Sequence, residues 1–218
     1  MSELNQLLLR FDQKQNFTYN DYYVSKSNFF AFKLIDSWPK WGKNIINIYG
    51  EEGCGKSHLA KIFEEKNKAL KFNETQFNNE KLSLIKPYEN VILDNFTNKT
   101  DENLLYSLFN LVDQDNKYLI INSRLPITQI KFNLKDLSSR TKNCVLAEIL
   151  KPDDDLIFAL IVKNFSDKQI YLEKKIIEYI VKRIDRSYRK ISEFIYKIDE
   201  LSLKKKKPIN LKTVKELI

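Results

Sequence analysis

The chain has 218 residues, 43% of them hydrophobic, with 14 Phe and 11 Tyr, which is enough to build a packed core and excludes global disorder. No apolar run approaches the roughly 20 residues of a membrane span. The two cysteines, Cys54 and Cys144, lie too far apart in sequence to form a framework, and His58 is the single histidine, so a disulfide scaffold and a zinc site are both excluded. The net charge of +8 is uneven: residues 1–150 hold 20 basic and 18 acidic residues, whereas residues 151–218 hold 17 and 11.

The first element is QLLLRF, an apolar cluster of Leu7, Leu8, Leu9 and Phe11 among polar neighbours. It lacks the basic start and small-residue cleavage site of a secretory leader. It either packs on its own domain or serves as a hook for another protein. INIYG (46–50) reads as a buried strand, with a helix following from about Gly55 to Lys66. ALKF (69–72) is a weaker strand. NVILDN (90–95) is another, followed by the helical pattern DENLLYSLFNLVDQ with Asp101 placed to cap it. KYLIINS (117–123) and NCVLAEI (143–149) bring the set to about five strands alternating with helices. That alternation predicts an α/β domain with a parallel sheet.

After Ile149 the strand signals stop. Pro152 and the acidic run Asp153–Asp155 suit a helix start, and apolar residues then recur at three and four, as in Ile176, Ile177, Ile180, Val181 and Ile184. This predicts about four helices, the last over 211–218. The expected organisation is a flexible tail at 1–16, a nucleotide-binding base at 17–150 and a helical lid at 151–218. Lys204–Lys207, before Pro208, reads either as a solvated loop or as a patch for nucleic acid or an acidic partner.

Three of the four glycines fall between positions 50 and 55. Gly50-Glu51-Glu52-Gly53-Cys54-Gly55-Lys56-Ser57 satisfies G-x-x-x-x-G-K-[ST] after a strand and at the opening of a helix. The glycines let backbone N–H groups turn toward a phosphate, and the helix N-terminus adds positive potential. Lys56 can reach the β- and γ-phosphates, and Ser57 can ligate Mg²⁺. Cys54 reads as a small residue in a tight loop. Asp94 ends a hydrophobic strand and is expected to hold Mg²⁺ directly or through water. Asn95 follows it; an amide can accept a hydrogen bond from an attacking water but cannot take its proton. Slow intrinsic hydrolysis is the expectation.

Together these segments resemble an AAA+ ATPase of the bacterial initiator (DnaA) group, over residues 17–218, and most of all the short regulatory inactivators of the Hda type. The resemblance implies a three-layer αβα domain with a five-stranded parallel sheet, followed by a small helical lid. It implies ADP or ATP as ligand, with Tyr23 and Val24 of DYYVSKSN near the adenine and His58 beside the phosphate loop. His58 can equally be a plain helix residue. The resemblance further makes Asn122, with Ser123, a sensor of the γ-phosphate. Arg140 of LSSR becomes an arginine finger offered to a neighbouring subunit's nucleotide. Arg189 of SYRKI becomes a second sensor facing the nucleotide from the lid.

There are departures. No residues after Ile218 supply the helix-turn-helix with which an initiator reads duplex DNA, and the interval from Lys56 to Asp94 is short for the helix that initiators insert there. The expectation is a regulator and not an initiator. Gln6, Leu7, Leu9 and Phe11 match the Q-L-x-L-x-F peptide bound by the bacterial sliding clamp (β subunit), which suits an extended hook. The partners implied are that clamp, the initiator DnaA, and DNA through the clamp or weakly through the basic lid, with no membrane and with self-association left open. The implied location is cytoplasmic and nucleoid-associated. A DnaA-related adaptor or loader that stimulates no hydrolysis is the alternative. A small-molecule P-loop kinase is a poorer one, since it gives Arg140, Arg189 and QLLLRF no role.

Overall fold

The computed structural model describes residues 18–205 and 209–218. The tail motif Gln6, Leu7, Leu9 and Phe11 therefore lies outside the described residues. After a 3-10 turn at Tyr19–Asp21 come α1 (Phe29–Asp36), β1 (Ile45–Gly50), α2 (Lys56–Asn67) and β2 (Leu70–Asn73). A second 3-10 turn (Glu74–Gln76) leads to α3 (Asn79–Leu84), β3 (Asn90–Phe96), α4 (Glu102–Gln114) and β4 (Tyr118–Ser123). A third, at Ile127–Gln129, precedes α5 (Lys135–Thr141) and β5 (Val145–Ile149).

The strands form one parallel sheet in the order β2-β3-β4-β1-β5. Parallel strands covered on both faces read as near-continuous apolar runs, and this is why the strands were visible in the sequence. Alternation then sends residues to opposite layers. Ile46, Ile48, Ile92 and Ile120 pack with Leu59 and Phe63 of α2 and Ala31 and Ile35 of α1. Val91, Leu93, Leu119 and Ile121 pack on the other face with Leu105, Leu108 and Phe109 of α4 and Leu137 of α5. The three-layer αβα architecture is as expected.

Beyond β5 the described residues are helical: α6 (Asp154–Asp167), α7 (Lys174–Val181), α8 (Tyr188–Lys205) and α9 (Leu211–Lys215). They enclose their own core of Ile157, Ile161, Phe165, Ile180, Ile198 and Val214. The last helix is shorter than its apolar pattern suggests, and α8 carries the chain as far as Lys205, so the lysine run begins inside a helix. Asp153 joins the two parts: one carboxylate oxygen accepts the Leu156 N–H at 2.8 Å, capping α6, and the other accepts the Ser27 N–H at 3.2 Å. Lys163 of α6 reaches Asp21 at 2.7 Å. No helix among the described residues is long and apolar enough to cross a membrane.

Candidate nucleotide site

The loop between β1 and α2 is shaped by its glycines. Gly50 has φ +154°, and a Cβ there would stand 2.6 Å from the Ile149 carbonyl oxygen of neighbouring β5. Gly55, with φ +98°, precedes α2, and a Cβ on it would meet the Tyr22 ring at 3.1 Å. Only glycine fits both positions without displacing a neighbour.

Lys56 opens α2 and is buried. Its ammonium donates to the Gly50 and Glu51 carbonyls at 2.8 and 2.7 Å, so it lies across the loop. The Ser57 hydroxyl donates to Asp94 Oδ1 at 3.2 Å. Asp94, buried at the end of β3, also accepts the Asn122 side-chain amide at 2.9 Å and pairs with the Lys71 ammonium at 2.9 Å. Burial pushes the Asp94 carboxyl up. The hydrogen bonds from Asn122, Lys71 and Ser57 more than offset it, so the carboxyl titrates below its ordinary range.

Asn122 additionally donates to the Lys56 carbonyl at 3.1 Å, which ties β4 to the start of α2. Its own side-chain oxygen is buried with no hydrogen-bond partner among the described residues. A buried acceptor of this kind is costly to leave unpaired, and it belongs to the amide whose nitrogen joins Lys56 to Asp94. Ser123 points the other way, by strand alternation: its hydroxyl donates to the Leu125 carbonyl at 2.6 Å and accepts from Asn47 at 2.8 Å.

The remaining expected residues are spread more widely. Asn95 has φ +57°, where β3 loses register with β4. Its side chain donates to Asn73 Oδ1 at 3.0 Å, at the end of β2. His58 lies 2.8 Å from the Thr18 carbonyl and edge-on to Tyr22, at 5.1 Å between ring centres. Burial, aided by nearby Lys163, holds its pKa below the ordinary value. Tyr23 is about half exposed and Val24 half-buried. The ring against the loop is that of Tyr22, stacked on Phe32 at 5.8 Å.

Arg189, in the first turn of α8, is exposed and donates to Glu193 at 2.8 Å. The hydrogen bond and charge of Glu193 raise its pKa. Arg140 is held on the opposite flank of the sheet: it pairs with Asp113 of α4 and lies over the Tyr106 ring at 5.3 Å. Cys54 is buried and its thiol is pushed up by burial, in keeping with a packing role.

Three residues were not singled out from the sequence. Tyr22 was passed over for its neighbours, although it is an aromatic in the same DYYV segment. Tyr188 is buried, its Cβ would meet a side chain placed on Gly53, and its hydroxyl donates to the Leu150 carbonyl at 3.0 Å. Lys71 had a legible signal, a lysine inside a strand on the same alternation as Asn73.

The arrangement can cradle phosphate groups: a glycine-shaped loop at a helix N-terminus, one ammonium, one hydroxyl and one buried carboxylate. Ser57 and Asp94 present oxygen donors of the type Mg²⁺ takes, but the charge of Asp94 is already balanced by Lys71.

No protein-family model matches the chain. It is 28% identical over 210 residues to the chromosomal replication initiator protein DnaA of Campylobacter jejuni, a match covering 84% of this chain and 48% of that protein. The chain thus spans about half the length of the curated relatives it matches. Domain III of the Thermotoga maritima initiator DnaA superposes with a TM-score of 0.74 at 18% identity, over 94% of this chain and 96% of that one. AMPPCP-bound DnaA from Aquifex aeolicus gives 0.70 at 22% identity, over 85% and 65%. The chain is thus similar in sequence to DnaA initiators and shares the fold of DnaA domain III.

Proposed function

We propose that this chain is an adenine-nucleotide-binding regulator of replication initiation of the Hda type. Gln6, Leu7, Leu9 and Phe11 tether it to the sliding clamp, and Arg140 acts in trans on ATP bound by the initiator. The observation that carries the nucleotide reading is the convergence of Lys56, Ser57, Asp94 and Asn122 on one glycine-shaped loop. The AMPPCP-bound DnaA from Aquifex aeolicus has the same fold and supports ADP or ATP as the ligand. Tyr23, Val24 and His58 border the base side, and Arg189 faces the loop from the lid. Ser57 and Asp94 offer oxygens of the kind Mg²⁺ takes, and the metal would neutralise charge on phosphate oxygens there. Lys71 offsets the charge of Asp94, so the site would hold it weakly.

Asn95 supplies no base, so the chain's own hydrolysis is slow and its nucleotide is structural: it sets the angle between base and lid. In the trans reaction Arg140 leaves Asp113 for the partner's phosphate. Its planar fork, which meets Asp113 through one nitrogen, can grip two phosphate oxygens at once. The second reading is a DnaA-related adaptor or loader that binds DNA or a replication partner and stimulates no hydrolysis. The excess of basic residues in 151–218 favours it.

The experiment is purified chain with clamp, primed DNA and ATP-bound initiator, following initiator-bound ADP over time. Wild type accelerates hydrolysis, and Arg140→Ala loses about 10³-fold or more of that acceleration, the worth of such a finger where it is known, while still binding clamp and nucleotide. An Arg140→Ala chain that stimulates fully removes the arginine from the mechanism. Salt-sensitive DNA binding with no stimulation by wild type selects the adaptor.

A further inference from the structure

We propose that Lys71 supplies positive charge that a divalent cation would otherwise bring, so that this chain binds adenine nucleotide with little dependence on Mg²⁺. The proposal rests on the nucleotide reading above and concerns what balances charge at that same site.

Lys71 is the second residue of β2, the edge strand, and pairs in register with Ile92 of β3. Asp94 is two residues further along β3, on the same face of the sheet, which brings the Lys71 ammonium to 2.9 Å from Asp94 Oδ2. The pair is largely withdrawn from water, with side-chain exposures of 21% for Lys71 and 3% for Asp94. A lysine is rarely placed so deep unless paired, and charges interact several-fold more strongly there than in bulk water.

The other oxygen of Asp94 is taken by the Ser57 hydroxyl, the Asn122 amide and the Asn95 N–H. Both oxygens are therefore engaged by donors of this chain. A carboxylate recruits Mg²⁺ through its uncompensated charge, and that charge is offset here. The fixed ammonium also repels a second cation arriving beside Asp94. Lys56 adds a second, buried ammonium on the loop carbonyls, so two ammoniums, of which that of Lys71 is half-buried, stand against the one carboxylate of Asp94. Glu51 and Glu52 are the loop's acidic residues; Glu52 is exposed and Glu51 half-buried. The excess of one positive charge favours an anionic diphosphate without a metal.

The test is equilibrium binding of a fluorescent ADP analogue to the full chain, in excess Mg²⁺ and in EDTA. Wild type, Lys71→Met and Lys71→Arg are compared, and thermal unfolding checks that each variant is folded. The expected result is a wild-type Kd that changes by less than about 3-fold between the two conditions. Lys71→Met binds at least about tenfold more tightly with Mg²⁺ than with EDTA, and Lys71→Arg behaves as wild type. A wild-type Kd that tightens tenfold or more with Mg²⁺ overturns the proposal, whether or not Lys71→Met folds. So does a folded Lys71→Met that is indifferent to the metal. Wild type that binds the analogue in neither condition overturns the nucleotide reading itself and the role of Lys71 with it.

Discussion

Glu74 shows how single side chains prepare this site from a distance. It is buried after β2 and accepts five hydrogen bonds, from the Thr97, Lys99 and Thr100 N–H groups and from the hydroxyls of Thr97 and Thr100. It thereby fixes the segment that leaves Asp94 and Asn95. Burial pushes its carboxyl up, but those bonds outweigh burial and the pKa is lowered. A carboxylate depressed in the folded state adds stability at pH values above its unfolded pKa, about 4.3, and loses it as pH falls through the lower folded value. Glu74→Gln is therefore expected to cost about 2 to 3 kcal/mol at pH 7. The difference from wild type shrinks below about pH 4, as read from denaturant unfolding at both pH values. At this scale Lys56, Ser57 and Asp94 were legible because their spacing is tied to local chain geometry. Lys71 and Tyr22 were harder to read because their partners lie on other elements.

Among the elements, the long ones were the readable ones. The helix over 102–114 was expected from its period and from Asp101, and Asp101 does accept the Asn103 and Leu104 N–H groups at 3.0 Å each. Replacing Asp101 with Ala should destabilise the protein by about 1 kcal/mol. Thermal or denaturant unfolding measures this, and no loss would mean the cap is redundant. The same helix carries Tyr106 and Asp113, which hold Arg140, so its placement also sets where that arginine rests. Helices α3 and α5, of six and seven residues, are too short to display a period and were not separable from loop in the sequence. Between α2 and β3 the chain makes β2, one 3-10 turn and α3, in keeping with the short interval seen in the sequence.

At the scale of the molecule, the described residues form three apolar cores behind the site: one on each face of the sheet and one inside the helical part. Leu156 and Tyr188 of the helical part pack into the core on the α2 side, and Asp153, Lys163 and Tyr188 bridge to the base by polar contacts. The lid core itself is independent of the sheet. Ile198→Ala, at a fully buried position in it, is expected to cost about 2 to 5 kcal/mol in denaturant unfolding. If the two parts unfold as one unit, probes in both report the same midpoint. An early transition confined to the lid shows that the polar bridges do not couple them.

The sequence by itself determined the alternation of strands and helices, the helical C-terminal third and the phosphate loop. Each is written in residues close to one another along the chain, where local backbone geometry decides. Tertiary structure alone decided that Lys71 meets Asp94, that Tyr22 and not Tyr23 lies against Gly55, and that Arg140 rests on Asp113. Those contacts depend on strand order and on the register of neighbouring strands, which bring together residues from separate elements in ways that no local pattern records.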